Sequence, residues 1–300
     1  MEQVIVNDVG PRDGLQNEST SVTPENRVRL INSLLDAGVR SIEAASFVSP
    51  KAVPKMANAD QVFAALNQEA ANFSALVPNL KGYELAKKAG ARSVAVVLSA
   101  TETMNQKNIN MSLDQTISVC KEIVAQALRD GITPRSYLSV AVECPYEGMV
   151  EEQVIEDLSA MMFKAGAKEV IVADTIGAAN PAQVKSLFTR LVSAFGATTI
   201  SGHFHDTRAM ALANTWQALE CGIRKFDASI AGLGGCPFAP GASGNLATED
   251  LVLMLNDAGL DTGIDLNKLL RSVELTGQLV HHPVGGRSMA YLNRRTENQQ

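Results

Sequence analysis

Short apolar segments alternate with segments of helical period along most of this 300-residue chain. Most apolar segments are rich in β-branched residues and lead through a turn into apolar residues spaced three or four apart, the pattern of a strand followed by an amphipathic helix. The eight predicted strands lie at residues 4–6, 41–43, 73–77, 93–98, 137–142, 169–173, 198–205 and 225–230. A closed parallel barrel needs eight such units, and its crossovers are right-handed.

We therefore predict an α/β fold in a single domain over residues 1–300. It consists of a (β/α)8 TIM barrel over about residues 3–262 and an appended helical region over about residues 263–296. Thr23 and Ser112 are expected to cap helices, and a long polar loop is expected between Leu98 and Asn110. An open doubly wound sheet is the alternative, but it normally has a G-x-G-x-x-G turn after its first strand, which the turn at residues 10–14 is not.

Composition limits the kinds of binding partner and the cellular compartment that we expect for this chain. The chain is 46% hydrophobic and 19% charged with a net charge of -6, which is typical of a soluble globular protein and makes nucleic acid an improbable partner. The four cysteines lack C-x-x-C spacing and residues 1–10 do not resemble a signal peptide, so we expect a reducing cytoplasm. No apolar run approaches the ~18 residues that span a bilayer, so no membrane insertion is expected.

Polar residues follow the ends of the predicted strands. His203 and His205 lie two apart on one strand, so both side chains point to the same face. Barrel geometry gathers strand ends at one face, where Asp13 and Asn245 would join the two imidazoles as ligands of a roughly octahedral Mg²⁺ or Mn²⁺. A purely structural role stays open for each alone, since Asp13 could serve its turn and Asn245 could cap a helix. The other strand-end candidates are Arg12, Glu43, Asn79, Asp174 and Asp206.

The segment at residues 232–244 contains five glycines and cannot form a stable helix or strand. We predict a mobile cover over the strand ends, on which Cys236 would act as a proton shuttle or nucleophile. Its alternative role is that of a small apolar residue in a packed turn. Structural roles are expected for the other cysteines, and a solvated turn for His281 and His282.

Several strings resemble those of the hydroxymethylglutaryl-CoA lyases. They are VGPRDGLQNE (9–18), SFVSPK (46–51), PNLKG (78–82), KNIN (107–110), CPYEG (144–148), DTIG (174–177) and GLGGCPFAPGASGNLATED (232–250). The resemblance covers roughly residues 4–262. It implies a metal-dependent TIM-barrel lyase, expected to be a homo-oligomer (a dimer), that cleaves 3-hydroxy-3-methylglutaryl-CoA to acetyl-CoA and acetoacetate.

The resemblance also implies roles for individual residues. Asp13, His203, His205 and Asn245 match the metal ligands of the family, Arg12 matches its essential arginine and Cys236 its loop cysteine. Glu43 and Asp174 match its catalytic carboxylates. Gln16 and Asn79 are expected to contact the substrate or CoA. Because CoA is anionic and the chain is acidic, local cations must hold its phosphates, and Lys51 and Lys81 are the candidates.

The sequence departs from the family pattern at Ala52, Glu143 and Arg208. Arg208 either faces solvent or reaches the acyl pocket, where it would favour a methylmalyl- or citramalyl-type ester. A Claisen-condensing acyltransferase of the isopropylmalate or citramalate synthase kind is a further alternative, although about 40 residues after the barrel leave little room for a regulatory region. The remaining alternative is a non-catalytic metal-binding barrel.

Overall fold

Eight parallel strands close into a barrel in the computed structural model, which describes residues 2–235 and 244–297. The first barrel strand pairs with both the second and the last, and Ile5 lies opposite Lys225 where the barrel closes. The strands are β1 (Ile5–Asp8), β2 (Ser41–Ser46), β3 (Asn72–Leu76), β4 (Ser93–Ser99), β5 (Thr133–Ser139), β8 (Glu169–Asp174), β9 (Ile200–Phe204) and β10 (Lys225–Ala228), while β6 (Glu143–Cys144) and β7 (Gly148–Met149) form a separate antiparallel hairpin. The predicted TIM barrel is confirmed.

Helices surround the barrel, and most of those that follow a barrel strand bury one apolar face against the sheet. They are α1 (Pro24–Ala37), α2 (Ala59–Ala65), α3 (Leu80–Lys88), α4 (Glu102–Ile109), α5 (Leu113–Arg129), α6 (Glu152–Ala165), α7 (Pro181–Phe195), α8 (Ala211–Glu220), α9 (Thr248–Asp257), α10 (Leu266–Val280) and α11 (Met289–Glu297). The Thr23 side chain accepts a hydrogen bond from the Asn26 amide, and Ser112 forms a capping box with Gln115, as expected. No described helix is both long enough and apolar enough to cross a membrane.

The polar loop predicted between Leu98 and Asn110 is wrong, because helix α4 lies there. Its residues carry almost no apolar periodicity, so pattern alone could not identify it. The buried amide of Asn105 holds the helix in place. Its Nδ2 donates to the carbonyl oxygens of Ser99 and Thr101, both at 2.8 Å, and its Oδ1 accepts the Ser99 amide at 3.0 Å. These three bonds tie α4 to the end of β4.

The fifth barrel strand lies earlier than predicted, over Thr133–Ser139 rather than residues 137–142. The apolar run at Val140 to Val142 suggested the later position, but Val140 adopts a φ of 51°, which ends the strand. Such a conformation is strained for a β-branched residue. The Thr175 hydroxyl stabilises it by accepting the Val140 amide at 2.8 Å. Glu143 therefore belongs to the β6–β7 hairpin and not to the barrel.

The appended helical region packs against the first helix and reaches the face at which the strands end. Helices α10 and α1 lie side by side, with the hydroxyls of Ser272 and Ser33 2.7 Å apart. The segment before α11 is held by two acidic residues of α9. Glu249 accepts the Gly286 amide at 2.7 Å, and Asp250 accepts the Arg287 amide at 2.7 Å.

The interior of the barrel contains a buried ion cluster. Arg135 donates to both carboxylate oxygens of Glu169, at 2.8 and 3.1 Å, and Lys225 lies 2.5 Å from one of them. Burial alone would raise the pKa of Glu169, but the two cations lower it from 4.5 to about 2. Because the folded-state pKa is depressed, the carboxylate stabilises the fold above about pH 4.5, and this contribution is lost as the pH falls toward 2.

Replacing Glu169 by Gln should lower the free energy of unfolding by about 3 kcal/mol at pH 7, since one pKa unit corresponds to about 1.4 kcal/mol. Urea denaturation of the wild type and Glu169→Gln between pH 7 and pH 3 measures the difference, which should shrink below pH 4.5. Glu122→Gln, at an exposed position of α5, is the matched control and should change little. A difference that stays constant over this range would contradict the assigned role of the charge.

Candidate active site

Four polar side chains from different parts of the sequence meet at the C-terminal face of the barrel. Ligand atoms of Asp13, His203 and His205 all lie within 4.8 Å of one another. Asn245 joins them, because its Nδ2 donates to Asp13 Oδ2 at 2.8 Å and its backbone bridges to that of His205. The structure thus brings together the four residues that the sequence suggested as metal ligands.

The turn after β1 delivers Arg12 and Asp13 to this site. Residues Gly10–Gly14 form one π-helical turn in which the Val9 carbonyl accepts the Asp13 amide at 2.7 Å. The turn packs closely on the chain after β10. A Cβ atom on Gly10 would lie 2.7 Å from Ile230, and one on Gly14 would lie 2.8 Å from the Ser229 hydroxyl. Only glycine permits this approach at the two positions.

Asp227 orients His203 from inside the barrel. Its Oδ2 lies 3.0 Å from His203 Nδ1 and accepts the Tyr137 hydroxyl at 2.7 Å, while its Oδ1 accepts from Asn7 at 2.7 Å. Burial alone would lower the pKa of His203, but the hydrogen bond and charge of Asp227 raise it. With Nδ1 engaged, the other ring nitrogen of His203 is left for a ligand, the arrangement typical of metal-bound histidines.

The sequence analysis did not identify Asp227 or Tyr137. Both lie within strands and away from their ends, where the candidates were sought. A signal was available, because Arg135, Tyr137 and Ser139 alternate along one strand face, as do Lys225 and Asp227. A run of polar residues at every second position indicates a polar barrel interior.

The donor set fits a divalent cation. Asn245 Oδ1 and His205 Nδ1 are buried and have no hydrogen-bond partner among the described residues. Such atoms cost free energy unless a ligand meets them. Burial, followed by the neighbouring charge of His203, lowers the pKa of His205 to about 3, which keeps this imidazole neutral and able to bind a metal. The site thus offers one nitrogen from each of two imidazoles, one carboxylate and one amide oxygen. This is a suitable ligand set for such an ion.

Arg12 lies beside these donors and is fixed by two carboxylates. Its Nε pairs with Glu43, and its Nη1 donates to Asp13 Oδ1 at 2.7 Å. Burial alone would lower the pKa of the guanidinium, but Glu43 and Asp13 raise it. Glu43 is fully buried, and its second oxygen accepts the Tyr137 hydroxyl at 3.0 Å. Glu43 therefore holds Arg12 from behind.

A cavity of about 210 Å³ opens at this site. Arg12, Asp13, Gln16, His203 and His205 form its polar side. The apolar part of its wall includes Val48, Leu76, Val97, Met104 and Ile109. Helix α4, which the sequence did not predict, thus supplies part of the wall.

Asp174 and Arg208 both bind the loop that follows β8. Asp174 accepts the amides of Ala178 and Ala179 at 2.8 and 3.0 Å. Burial raises the pKa of Asp174 to about 6. The Arg208 guanidinium donates to the carbonyl oxygens of Gly177 at 2.9 Å and Ala179 at 3.3 Å. Neither residue is among the described residues that line the cavity, so the possibility that Arg208 reaches an acyl pocket receives no support.

The remaining candidate residues from the sequence lie in a helix cap, on the surface or outside the described residues. Asn79 caps α3 by accepting the Gly82 amide at 2.9 Å. Lys51 and Lys81 are exposed and are not among the described residues that line the cavity. Cys236, with most of the predicted cover, lies outside the described residues.

The appended region contributes one further contact. Asp206 directly follows His205, and its carboxylate pairs with Arg287. Arg287 Nη2 also donates to the Asp206 carbonyl oxygen at 2.9 Å. The segment before α11 therefore braces the turn that carries the second histidine.

Replacing Asp227 by Asn should weaken the binding of a divalent cation by roughly 10- to 100-fold, because the negative charge beside Nδ1 that orients His203 is lost. Calorimetric titration of the protein with Mn²⁺ as the probe measures this without any substrate. Asp36→Asn, at an exposed position of α1, is the matched control. If both variants bound Mn²⁺ like the wild type, the assignment of Asp227 as the orienting group would be wrong.

Comparison with known proteins places the chain in a family. Residues 3–276 match the HMGL-like family model. A hydroxymethylglutaryl-CoA lyase of Bacillus subtilis (strain 168) is 42% identical over 289 residues, which is 96% of this chain and 97% of that protein. A crystal structure of the Bacillus subtilis HMG-CoA lyase superposes with a TM-score of 0.94 at 41% identity, covering 98% of this chain and 99% of that one.

A further similar structure is an HMG-CoA lyase from Acinetobacter baumannii in complex with coenzyme A and 3-methylmalate. It has a TM-score of 0.92 and 39% identity, and the match covers 95% of this chain and 94% of that chain. Family model, sequence and structure agree over nearly the full length. The chain therefore belongs to the HMGL-like family.

Proposed function

We propose that the protein is a carbon–carbon lyase that cleaves 3-hydroxy-3-methylglutaryl-CoA to acetyl-CoA and acetoacetate. The observation that carries this proposal is the group Asp13, His203 and His205 beside a fixed guanidinium in one cavity. It is supported by 42% identity to a protein named hydroxymethylglutaryl-CoA lyase over 96% of this chain. We expect the protein to act in the cytoplasm as a homodimer.

Asp13, His203, His205 and Asn245 would hold Mg²⁺ or Mn²⁺. The ion, when bound, supplies Lewis acidity that lowers the pKa of a substrate hydroxyl. The contribution of the chain is to fix the donors. Asp227 orients His203, Asn245 bonds to Asp13, and Arg287 braces the turn after His205. A donor set that is already held in place does not have to be ordered during catalysis.

Arg12 stabilises the negative charge that develops on the thioester oxygen as the acetyl-CoA enolate departs. A buried guanidinium held by two carboxylates presents its charge without reorganisation, which makes it effective in the transition state. Glu43 acts through Arg12 and is therefore a positioning residue rather than a group that touches substrate.

Cys236 moves protons in the proposed cleavage: it passes the proton lost by the substrate hydroxyl to the departing enolate, so the reaction as a whole neither consumes nor releases a proton. The glycine-rich segment that carries Cys236 starts beside the site, since Asn245 Nδ2 donates to the Leu233 carbonyl oxygen at 3.0 Å. Asp174 is less suited to this step, because both of its oxygens accept backbone amides. Its role in the proposal is to shape the loop after β8, whose Thr175 lines the cavity.

The substrate enters along the apolar wall of the cavity, which would accept the thioester arm of CoA. Gln16 lies on the polar side and would contact the acyl group. Lys51 lies on a loop, Asn79 caps α3 and Lys81 lies in the first turn of that helix, all at the same end of the barrel, and the three stay candidates for the phosphates of CoA.

Purified protein freed of metal on a chelating resin should lose cleavage of 3-hydroxy-3-methylglutaryl-CoA and regain it with Mg²⁺ or Mn²⁺. Mass spectrometry of the products should detect acetyl-CoA and acetoacetate. Parallel assays use a citramalyl-CoA ester, and acetyl-CoA with 2-oxo acids. Faster cleavage of the citramalyl ester, or condensation without cleavage, would refute the proposed reaction.

Replacing Arg12 by Lys should reduce kcat by roughly 100- to 1000-fold with little change in KM, because the planar fork that fits the developing oxyanion is lost while the charge stays. Steady-state kinetics of Arg12→Lys measure the two constants separately. Arg29→Lys, at an exposed position of α1, is the control and should match the wild type. An effect confined to KM would assign Arg12 to binding alone.

A further inference from the structure

A second cavity, of about 510 Å³, opens at the opposite end of the barrel, where the strands begin. Barrel interiors are usually filled there by layers of bulky branched side chains. Here small side chains take those places, among them Ser41, Ser74 and Ser93, and the cavity stays open. Ile5 lines it and is 47% exposed. A volume of this size is in the range of sites for small organic ligands.

At the inner end of this cavity, the lining residues hold two cations and one carboxylate. Arg135 and Lys225 share one carboxylate, that of Glu169, which also accepts the Ser201 hydroxyl. Asp227 is the next carboxylate, 3.9 Å from Arg135, but it is committed to His203 and Tyr137. Burial and the charge of Arg135 lower the pKa of Lys225, as expected for a cation with too little compensation.

The lining residues at the mouth of the cavity also carry more positive than negative charge. Arg40 and Arg92 line the mouth, and Glu69, which lies 2.6 Å from Arg92, is the carboxylate near them. The described lining residues therefore hold four cations against two carboxylates, an excess of two positive charges in a chain whose net charge is -6. Local fields of this kind attract anions even to an acidic protein.

One polar group here lacks an acceptor. The Nε2 atom of Gln68, a lining residue, is buried and has no hydrogen-bond partner among the residues described. Its two N–H groups can only donate. An acceptor from a bound molecule would satisfy them and would also balance Lys225.

We propose that this cavity binds a small carboxylate anion, with its charge beside Lys225, an oxygen toward Gln68 and its carbon chain against Ile5. The exposed apolar side chain of Ile5 favours an organic carboxylate over inorganic phosphate. The site lies at the opposite face from the candidate active site and does not depend on the proposed reaction.

Calorimetric titration of the metal-free protein with malonate tests the site, with uncharged malonamide and inorganic phosphate as comparison ligands. Malonate should bind, malonamide should not, and added salt should weaken the binding. Lys225→Met should weaken malonate binding by roughly tenfold or more, since a charge-assisted hydrogen bond is lost. Gln68→Leu should weaken it by a smaller factor.

Two further variants make the result specific. Lys185→Met, at an exposed position of α7, should bind malonate like the wild type. Arg12→Met should also bind like the wild type, because Arg12 lies in the other cavity. Removal of Lys225 leaves Arg135 and Glu169 as a balanced pair, so the variant should fold, which circular dichroism verifies. Malonate binding that depends on Arg12 but not on Lys225, equal binding of malonamide, preferential binding of phosphate, or no binding of malonate would each overturn the proposal.

Discussion

The hydrogen bonds and ion pairs around Asp227 and Glu43 are the interactions on which the candidate site depends. The Tyr137 hydroxyl, with its one proton, lies 2.7 Å from Asp227 and 3.0 Å from Glu43, and so connects the partner of His203 with the partner of Arg12. Charges buried inside a barrel are tolerated only when they are paired and hydrogen-bonded, and these are. Through Tyr137, Asp227 and Glu43, which lie on three strands, His203 and Arg12 belong to one connected set of polar contacts. The positions of the two side chains are therefore coupled.

The loops at the strand ends are also fixed by hydrogen bonds to side chains. Asp174 binds the amides of the loop after β8 while Arg208 and Asn214 bind its carbonyl oxygens, so a short connection without regular structure has most of its polar groups satisfied. Glu249 likewise stabilises the segments after β10 and before α11, because it accepts the amides of Ala231 and Gly286.

Much of this could be predicted from the sequence because barrel geometry is strict. Alternating strand and helix signals gave the eight units, and the rule that strand ends converge placed Asp13, His203, His205 and Asn245 in one group. The supporting residues could not be found in the same way. Tyr137 and Asp227 act through contacts between strands 90 residues apart in sequence, and a local pattern does not contain the register that brings them together. Helix α4 was missed because one buried amide, Asn105, defines it rather than an apolar stripe. The sequence left open whether Arg208 faces solvent or reaches the acyl pocket, because it shows the charge of a side chain but not the carbonyl oxygens that the side chain binds.

The contact between Arg287 and Asp206 has a consequence for the order in which the protein matures. Chain synthesis runs from the amino terminus, so the turn after β1 and the histidines of β9 emerge from the ribosome well before the segment at Gly286 and Arg287. Until that segment emerges, Glu249 lacks the Gly286 amide, Asp250 lacks the Arg287 amide and the turn after His205 lacks its contact with Arg287. A nascent barrel can therefore close its sheet while the face that carries His205 is still incomplete, and the segment at Gly286 and Arg287 completes that face.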